Sequence, residues 1–313
     1  MKTYAGLTAL GLILSPVAFA HGPHVPLIQQ AQPTPITTTD LGDGLYMLQG
    51  RGGNIGVLVG DDGVFVIDSQ YADMAPGILS AIDEIAGEAP RYLVNTHWHG
   101  DHVGGNAIIG DTGTTIIAHE GVRERVTVDV TRDFFGQDST TPALSTSAWP
   151  VITFNDEMTL YLTGQTVRLI HAPTAHTDGD TFIYFEEADV LHTGDLMFSG
   201  MFPFVDITSG GSFVGFTAAS QAMADMITEE TRIIPGHGPL STKSDITAIV
   251  DMLEGTTAAV QAEIDAGKDI EAVLDAAPLT PWVEDWAWGF IDEARFTRLI
   301  FADLSQASAP ASE

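Results

Sequence analysis

Residues 96–102 read Thr-His-Trp-His-Gly-Asp-His, directly after Arg91–Asn95, a short apolar run with strand character. Four potential metal ligands, His97, His99, Asp101 and His102, fall within six positions of a chain that holds 10 histidines in 313 residues. Chance does not give that density. His97 and His99 are two apart, so an extended backbone points both rings to one side. Asp101 and His102 follow where the chain must turn. Neutral imidazole and carboxylate suit zinc, and also iron or manganese. One turn does not complete a coordination sphere comfortably. The fold must therefore bring further ligands to this strand end from far along the chain.

Three such candidates exist, each at the end of a predicted strand. His176 lies in Ala-Pro-Thr-Ala-His-Thr-Asp-Gly-Asp, Asp195 in His-Thr-Gly-Asp-Leu, and His237 in Ile-Ile-Pro-Gly-His-Gly-Pro. Proline and glycine around them mark tight turns that present side chains at a sheet edge. Any one of these in isolation is an ordinary turn residue. Cysteine is absent, which removes disulfides, zinc thiolates, iron–sulfur clusters and thiol nucleophiles. A metal here is held by His, Asp or Glu.

The pattern around these residues gives the architecture. Leu45–Gln49, Asn54–Val59 and Gly63–Asp68 read as antiparallel strands split by glycine and Asp-Asp-Gly turns. Ala75–Ile85 carries apolar residues at helical spacing. Thr114–Ala118 reads as a strand, and about Glu120–Val130 as a helix. Residues 131–150 show no period and look like an insertion or lid. A second series follows: strands Met158–Leu162, Val167–His171, Thr181–Phe185 and Val190–Thr193, then helices Phe213–Ile227 and Asp245–Ala266 around the strand Arg232–Ile234, and a last helix near Phe290–Leu304. Strands and helices thus recur in similar order. The expected fold is α+β, a four-layer αββα sandwich spanning residues 41–304.

Taken together and in order, the candidate ligands resemble the metallo-β-lactamase superfamily, whose pattern is His-x-His-x-Asp-His, then His, then Asp or Cys, then His. The match runs from about residue 40 to 240. The resemblance implies two metal ions, expected to be zinc. His97, His99 and His176 would hold the first; Asp101, His102 and His237 the second; Asp195 would bridge them. Three neutral imidazoles leave a dipositive ion an open position, and such an ion lowers the pKa of a bound water towards neutrality. Asp101, beside that water, is the candidate catalytic residue. Asp68, at the end of Val-Phe-Val-Ile-Asp, is a candidate for orienting a ligand. His192, His119 and His171 read as structural.

Composition narrows the partners. Twelve Lys and Arg against 42 Asp and Glu give a formal charge of −30. That excludes a phosphate-binding footprint for nucleic acid and disfavours anionic lipid. The apolar content of 44% is enough for a substantial core, unlike a disordered acidic tail. Leu7–Phe19 is an apolar run ending in Ala18-Phe19-Ala20, a small-x-small cleavage pattern. Residues 1–20 are therefore expected to be a signal peptide and the product periplasmic or secreted, with no membrane span after cleavage. Residues 21–40 read as an extended lead-in and 305–313 as a frayed tail.

The substrate is expected to be a small molecule. Residues 196–215 carry no Lys or Arg to grip a substrate carboxylate, and position 195 is Asp where most lactamases of the family have Cys. Phe198, Met201, Phe202, Pro203 and Phe204, with Phe134, Phe135, Trp149 and Tyr71, are candidates for an apolar rim. The leading expectation is hydrolysis of a cyclic amide or ester, β-lactam- or lactone-like. A glyoxalase II-type thioesterase, an iron-dependent oxidoreductase on the same scaffold and a non-catalytic metal-binding module are the alternatives.

Overall fold

The computed structural model describes residues 34–307. Residues 1–20, most of the lead-in and residues 308–313 lie outside the described residues.

The chain opens with an antiparallel meander: β1 (Thr37–Gly42), β2 (Leu45–Gln49), β3 (Ile55–Gly60) and β4 (Gly63–Ile67). The helix α1 (Ala75–Ala86) then crosses over to β5 (Pro90–Asn95), parallel to β4. Two short helices, α2 (Gly100–Val103) and α3 (Asn106–Gly110), lead to β6 (Thr115–His119) and α4 (Glu120–Val126). A separate hairpin follows, β7 (Val130–Asp133) with β8 (Asp138–Thr141), before β9 (Ile152–Phe154) joins β6 in parallel. These strands form a seven-stranded sheet in the order β1-β2-β3-β4-β5-β6-β9.

The second sheet is β10 (Glu157–Leu162), β11 (Gln165–Ala172), β12 (Asp180–Phe185), β13 (Val190–Phe198) and β14 (Arg232–His237), in that order. Its pairs are antiparallel except β13 with β14. The long helices α5 (Phe213–Met226) and α6 (Lys243–Asp265) flank β14 in sequence. Then come α7 (Ile270–Ala276), α8 (Thr280–Trp286) and α9 (Glu293–Ala307).

Side-chain alternation along single strands builds the four layers. On β4, Phe65 and Ile67 face the second sheet, while Val64 and Val66 face α1. A strand buried on both sides must be apolar throughout, and Val64–Ile67 is. Between the sheets, Leu45, Met47, Leu58 and Val94 meet Val167, Leu169, Ile183 and Val190. Phe65 and Phe185 lock that interface edge to face, with centroids 6.2 Å apart. Outside the first sheet, Ile78 and Ile82 of α1 pack on Val57, Val66 and Leu93. Outside the second, Phe216, Leu253 and Phe296 of α5, α6 and α9 pack on Phe182, Leu191 and Ile233. The αββα order expected from the sequence is the order found.

Local elements differ where signals were short. The helix expected to reach Val130 stops at Val126, and part of the insertion is the β7–β8 hairpin, whose strands are mostly polar and lack an apolar period. The last helix begins at Glu293, leaving Phe290 in the preceding loop. Among the described residues, no helix is long and apolar enough to cross a membrane.

The topology sets the site. The segment after β5, the β11–β12 turn, the middle of β13 and the end of β14 all reach one edge of the sandwich. Parallel strands of α/β sheets collect ligand sites at their carboxyl ends in the same way.

Candidate metal centre

All seven expected ligands converge there. His97 follows β5, and His99 sits at the N-terminus of α2, which carries Asp101 and His102. His176 lies in the β11–β12 turn, Asp195 on β13 and His237 at the end of β14. They form two groups, His97/His99/His176/Asp195 and Asp101/His102/His237, whose potential ligand atoms lie within 4.8 Å of one another in each group.

Asp195 stands between the groups and divides its oxygens. Oδ1 is 3.0 Å from His102 Nε2 and 3.4 Å from His237 Nε2. Oδ2 is 3.5 Å from His176 Nε2 and 3.8 Å from His97 Nε2. Asp101 Oδ2 lies 3.3 Å from His237 Nε2 and 3.7 Å from His102 Nε2.

The inward-facing atoms suit cations. His97 Nε2, His102 Nε2 and Asp195 Oδ1 are buried and make no hydrogen bond. Native interiors rarely leave such atoms unpaired without an ion, a water or a functional reason. His99 Nδ1 and His176 Nε2 face each other at 2.9 Å, an approach that two lone pairs do not tolerate unless a proton or a cation lies with them.

The outward nitrogens are held, as ring orientation at a metal requires. His102 Nδ1 donates to Asp68 Oδ2 at 2.7 Å, and Asp68 also accepts from the Thr96 amide (2.8 Å) and hydroxyl (2.7 Å). His99 Nε2 donates to Asp206 Oδ2 at 2.9 Å, and His176 Nδ1 to the Phe204 carbonyl at 2.6 Å. His97 Nδ1 lies 3.1 Å from Thr96 Oγ1. Each contact orients its ring so that the other nitrogen points inward. Asp68 thus sits where the strand-end reading put it.

Two glycines keep the centre tight. A Cβ on Gly236 would lie 2.1 Å from Asp195 Oδ1. Gly194 has φ +51°, and its Cβ would lie 2.6 Å from that of Thr96.

The two groups differ in charge. Burial, with the neighbouring His102, holds His97 well below the usual imidazole range, and burial also lowers His99 and His176. Burial opposes charge on His237 as well, but Asp195 and Asp101 outweigh it and push the ring up to about 9. His102 is raised well above its usual value against its burial, by Asp195, Asp101 and Asp68. Asp101 is correspondingly lowered to about 2: burial resists, and His102 and His237 prevail.

Residues outside the sequence reading complete the surroundings. Asp206 is buried, accepts from His99, and pairs with Arg132 of the hairpin. Arg132 lies 4.9 Å over Trp98 and 5.6 Å over Phe134. Nothing local marks Asp206 or Arg132: they are 74 positions apart.

A cleft of about 490 Å³ opens over Asp101, Asp195 and His237. Tyr71, Phe134, Phe198, Phe204, Trp288 and Phe290 line it, with Arg51 and Arg132 as its cations. Four of the expected rim aromatics are therefore in place. Phe202 instead stacks on Phe296 in the core, and Trp149 packs under α4. His192, wholly buried, accepts from the Gly194 amide and reaches the Asn54 carbonyl; His119 stacks on His171 at 3.7 Å.

Comparison with known proteins fits this geometry. The profile of the Metallo-beta-lactamase superfamily matches residues 48–237. A hydroxyacylglutathione hydrolase from Methylococcus capsulatus is 28% identical over 127 residues, 40% of this chain and 41% of that protein. The alpha subunit of a 2,4-dinitroanisole O-demethylase from Nocardioides sp. is 24% identical over 223 residues, 71% of this chain and 63% of that one. The alignments span less than two thirds of either relative. A metallo-beta-lactamase structure from Pontibacter korlensis superposes with a TM-score of 0.58 at 16% identity, covering 70% of this chain and 99% of that one, a likeness of fold. The chain belongs to the metallo-β-lactamase superfamily.

Proposed function

We propose that this protein is an exported dinuclear zinc hydrolase of small, largely apolar cyclic esters or amides, lactone- or β-lactam-like. The observation that carries the reading is Asp195, whose two carboxylate oxygens each face a separate group of ligands. His97, His99 and His176 would hold one ion, Asp101, His102 and His237 the other, with Asp195 shared. Two such ions would make a water between them acidic near neutral pH and would polarise a substrate carbonyl. Export is supported by the apolar run before Ala20.

The chain's own residues would do the rest. Asp101 is at the cleft floor and ionised in the neutral range, so it is placed to accept a hydrogen bond from a water and orient it. The aromatic walls would hold an apolar ring against the floor and exclude bulk solvent. Asp68, Asp206 and the Phe204 carbonyl keep the imidazoles aimed.

The thioesterase reading has a relative in its favour. The cleft offers little cationic surface for a glutathione conjugate: of its two arginines, Arg132 is buried against Asp206, which leaves Arg51, paired with Asp73 at the exposed rim, as the one accessible arginine among the described lining residues. The test is metal analysis of the purified protein together with turnover of a chromogenic cephalosporin, a lactone, an S-acylglutathione and a phosphodiester. Two zinc ions with lactone or cephalosporin turnover support the proposal. Preference for S-acylglutathione replaces it with the thioesterase. Bound iron with oxygen consumption, or zinc with no turnover of any of the four, overturns it.

A further inference from the structure

The β7–β8 hairpin touches the centre in two ways at once. Phe134, just past β7, and Thr141, at the end of β8, line the substrate cleft. Arg132, on β7, turns the other way. Its guanidinium donates to Asp206 Oδ2, the same oxygen that accepts from His99 Nε2 at 2.9 Å, and its Nη1 also lies 2.7 Å from His99 Nε2 itself. Asp206 is fixed independently: its Oδ1 accepts from the Thr208 hydroxyl at 2.8 Å, and its backbone amide donates to the His176 carbonyl at 2.9 Å. The side chains of Arg132 and Asp206 are only 15% and 3% exposed. Trp98, the residue between His97 and His99, forms the floor beneath the guanidinium.

The arrangement is more than a surface ion pair. A buried carboxylate facing one neutral imidazole donor carries an uncompensated charge, and removal of one partner from a buried pair is costly. With Arg132 present, Asp206 is charge-balanced and oriented, and His99 Nε2–H has one acceptor position to occupy. That fixes the direction of His99 Nδ1. We infer that Arg132 is a positioning residue, which aims His99 by its own contact with the ring and by holding Asp206 against it, and which through the same contacts seats the hairpin wall of the substrate cleft. The inference rests on the metal-site reading above. It adds that one residue of the hairpin tunes the first ion site and the cleft together.

Zinc affinity at each site, measured on the full-length protein by chelator competition, gives a readout independent of turnover. Arg132→Met is expected to weaken zinc at the His97/His99/His176 site by roughly 10–100-fold, the usual scale for losing an outer partner of a ligand. The Asp101/His102/His237 site keeps its affinity, and KM rises for whichever panel substrate is turned over. Arg132→Lys, which keeps the charge beside Asp206, restores part of the lost affinity. Asp206→Asn weakens the first site, and adding Arg132→Met to it weakens that site by less than the product of the two single effects, because both residues hold the same His99 nitrogen. If Arg132→Met does not fold, Arg132→Lys alone and on the Asp206→Asn background carries the test: a loss in the first and a smaller added loss in the second is the expected pair.

A KM change with both zinc affinities intact would make Arg132 a plain hairpin anchor and overturn the inference. So would equal weakening of both sites, or independent effects that multiply in the double variant. A wild-type protein that binds no zinc sinks the metal-site reading itself, which is a different failure.

Discussion

The two halves of the centre are built on opposite electrostatic plans. His97, His99 and His176 are buried, and burial keeps all three rings neutral. Of the other half, Asp101 and His237 line the cleft while His102 is wholly buried, and there the carboxylates raise both imidazoles. The first half resembles a preformed neutral cage. The second holds protons wherever it does not hold a cation. Identical ligand types thus give sites of different character, because burial controls one and carboxylate charge the other. Metal should therefore enter the second half in competition with protons, and the first half largely free of that competition.

The shared residue gives the largest expected effect. Asp195→Ala removes an oxygen from each half, and loss of several kcal/mol of metal-assisted stabilisation lowers kcat/KM by roughly a thousandfold or more. Zinc stoichiometry should fall below two in the same variant. Retention of both ions at full affinity would show that the halves do not depend on a common carboxylate. Gly236→Ala should approach this phenotype without replacing any ligand, since its Cβ would fall 2.1 Å from Asp195 Oδ1 and displace it.

The next pair of variants separates the halves. Asp68→Asn removes the carboxylate from His102, and Asp206→Asn removes it from His99. Each should weaken zinc by roughly 10–100-fold, the first at the cleft-side site and the second at the buried one. Chelator titrations in which both variants weaken the same step would erase the distinction.

The pH dependence is smaller and has a definite sign. In the metal-free protein His237 is raised from 6.5 to about 9. The stability this contributes is fully present below pH 6.5 and is lost as pH rises through about 9. The thermal midpoint of the metal-free protein should therefore fall across that window, and His237→Gln should flatten the fall. Zinc binding should release protons in the same range, seen as a buffer-dependent heat in calorimetry. A metal-free midpoint that rises from pH 6.5 to 9 would contradict the assignment.

The sequence carried the ligands better than their support. His97, His99, Asp101 and His102 were legible because a single turn concentrates them. His176, Asp195 and His237 were legible because proline and glycine mark strand ends. Asp68 was legible as the acidic end of the apolar run Val64–Ile67. Asp206 and Arg132 were not, since their meaning depends on tertiary contacts with residues 107 and 33 positions from His99. Trp288 and Phe290 reach the cleft from the loop before α9, whereas the sequence reading starts the last helix near Phe290 and assigns Trp288 no part. Among the elements, β4 with its unbroken Val64–Ile67 run was plain, whereas β9, three residues long, offers too little pattern to register.

The most direct test is crystallographic. Anomalous scattering at the zinc edge from the zinc-loaded protein should place two peaks, one on each side of the Asp195 carboxylate, with His97, His99 and His176 around one and Asp101, His102 and His237 around the other. A single peak, or two peaks that share no Asp195 oxygen, would contradict the account.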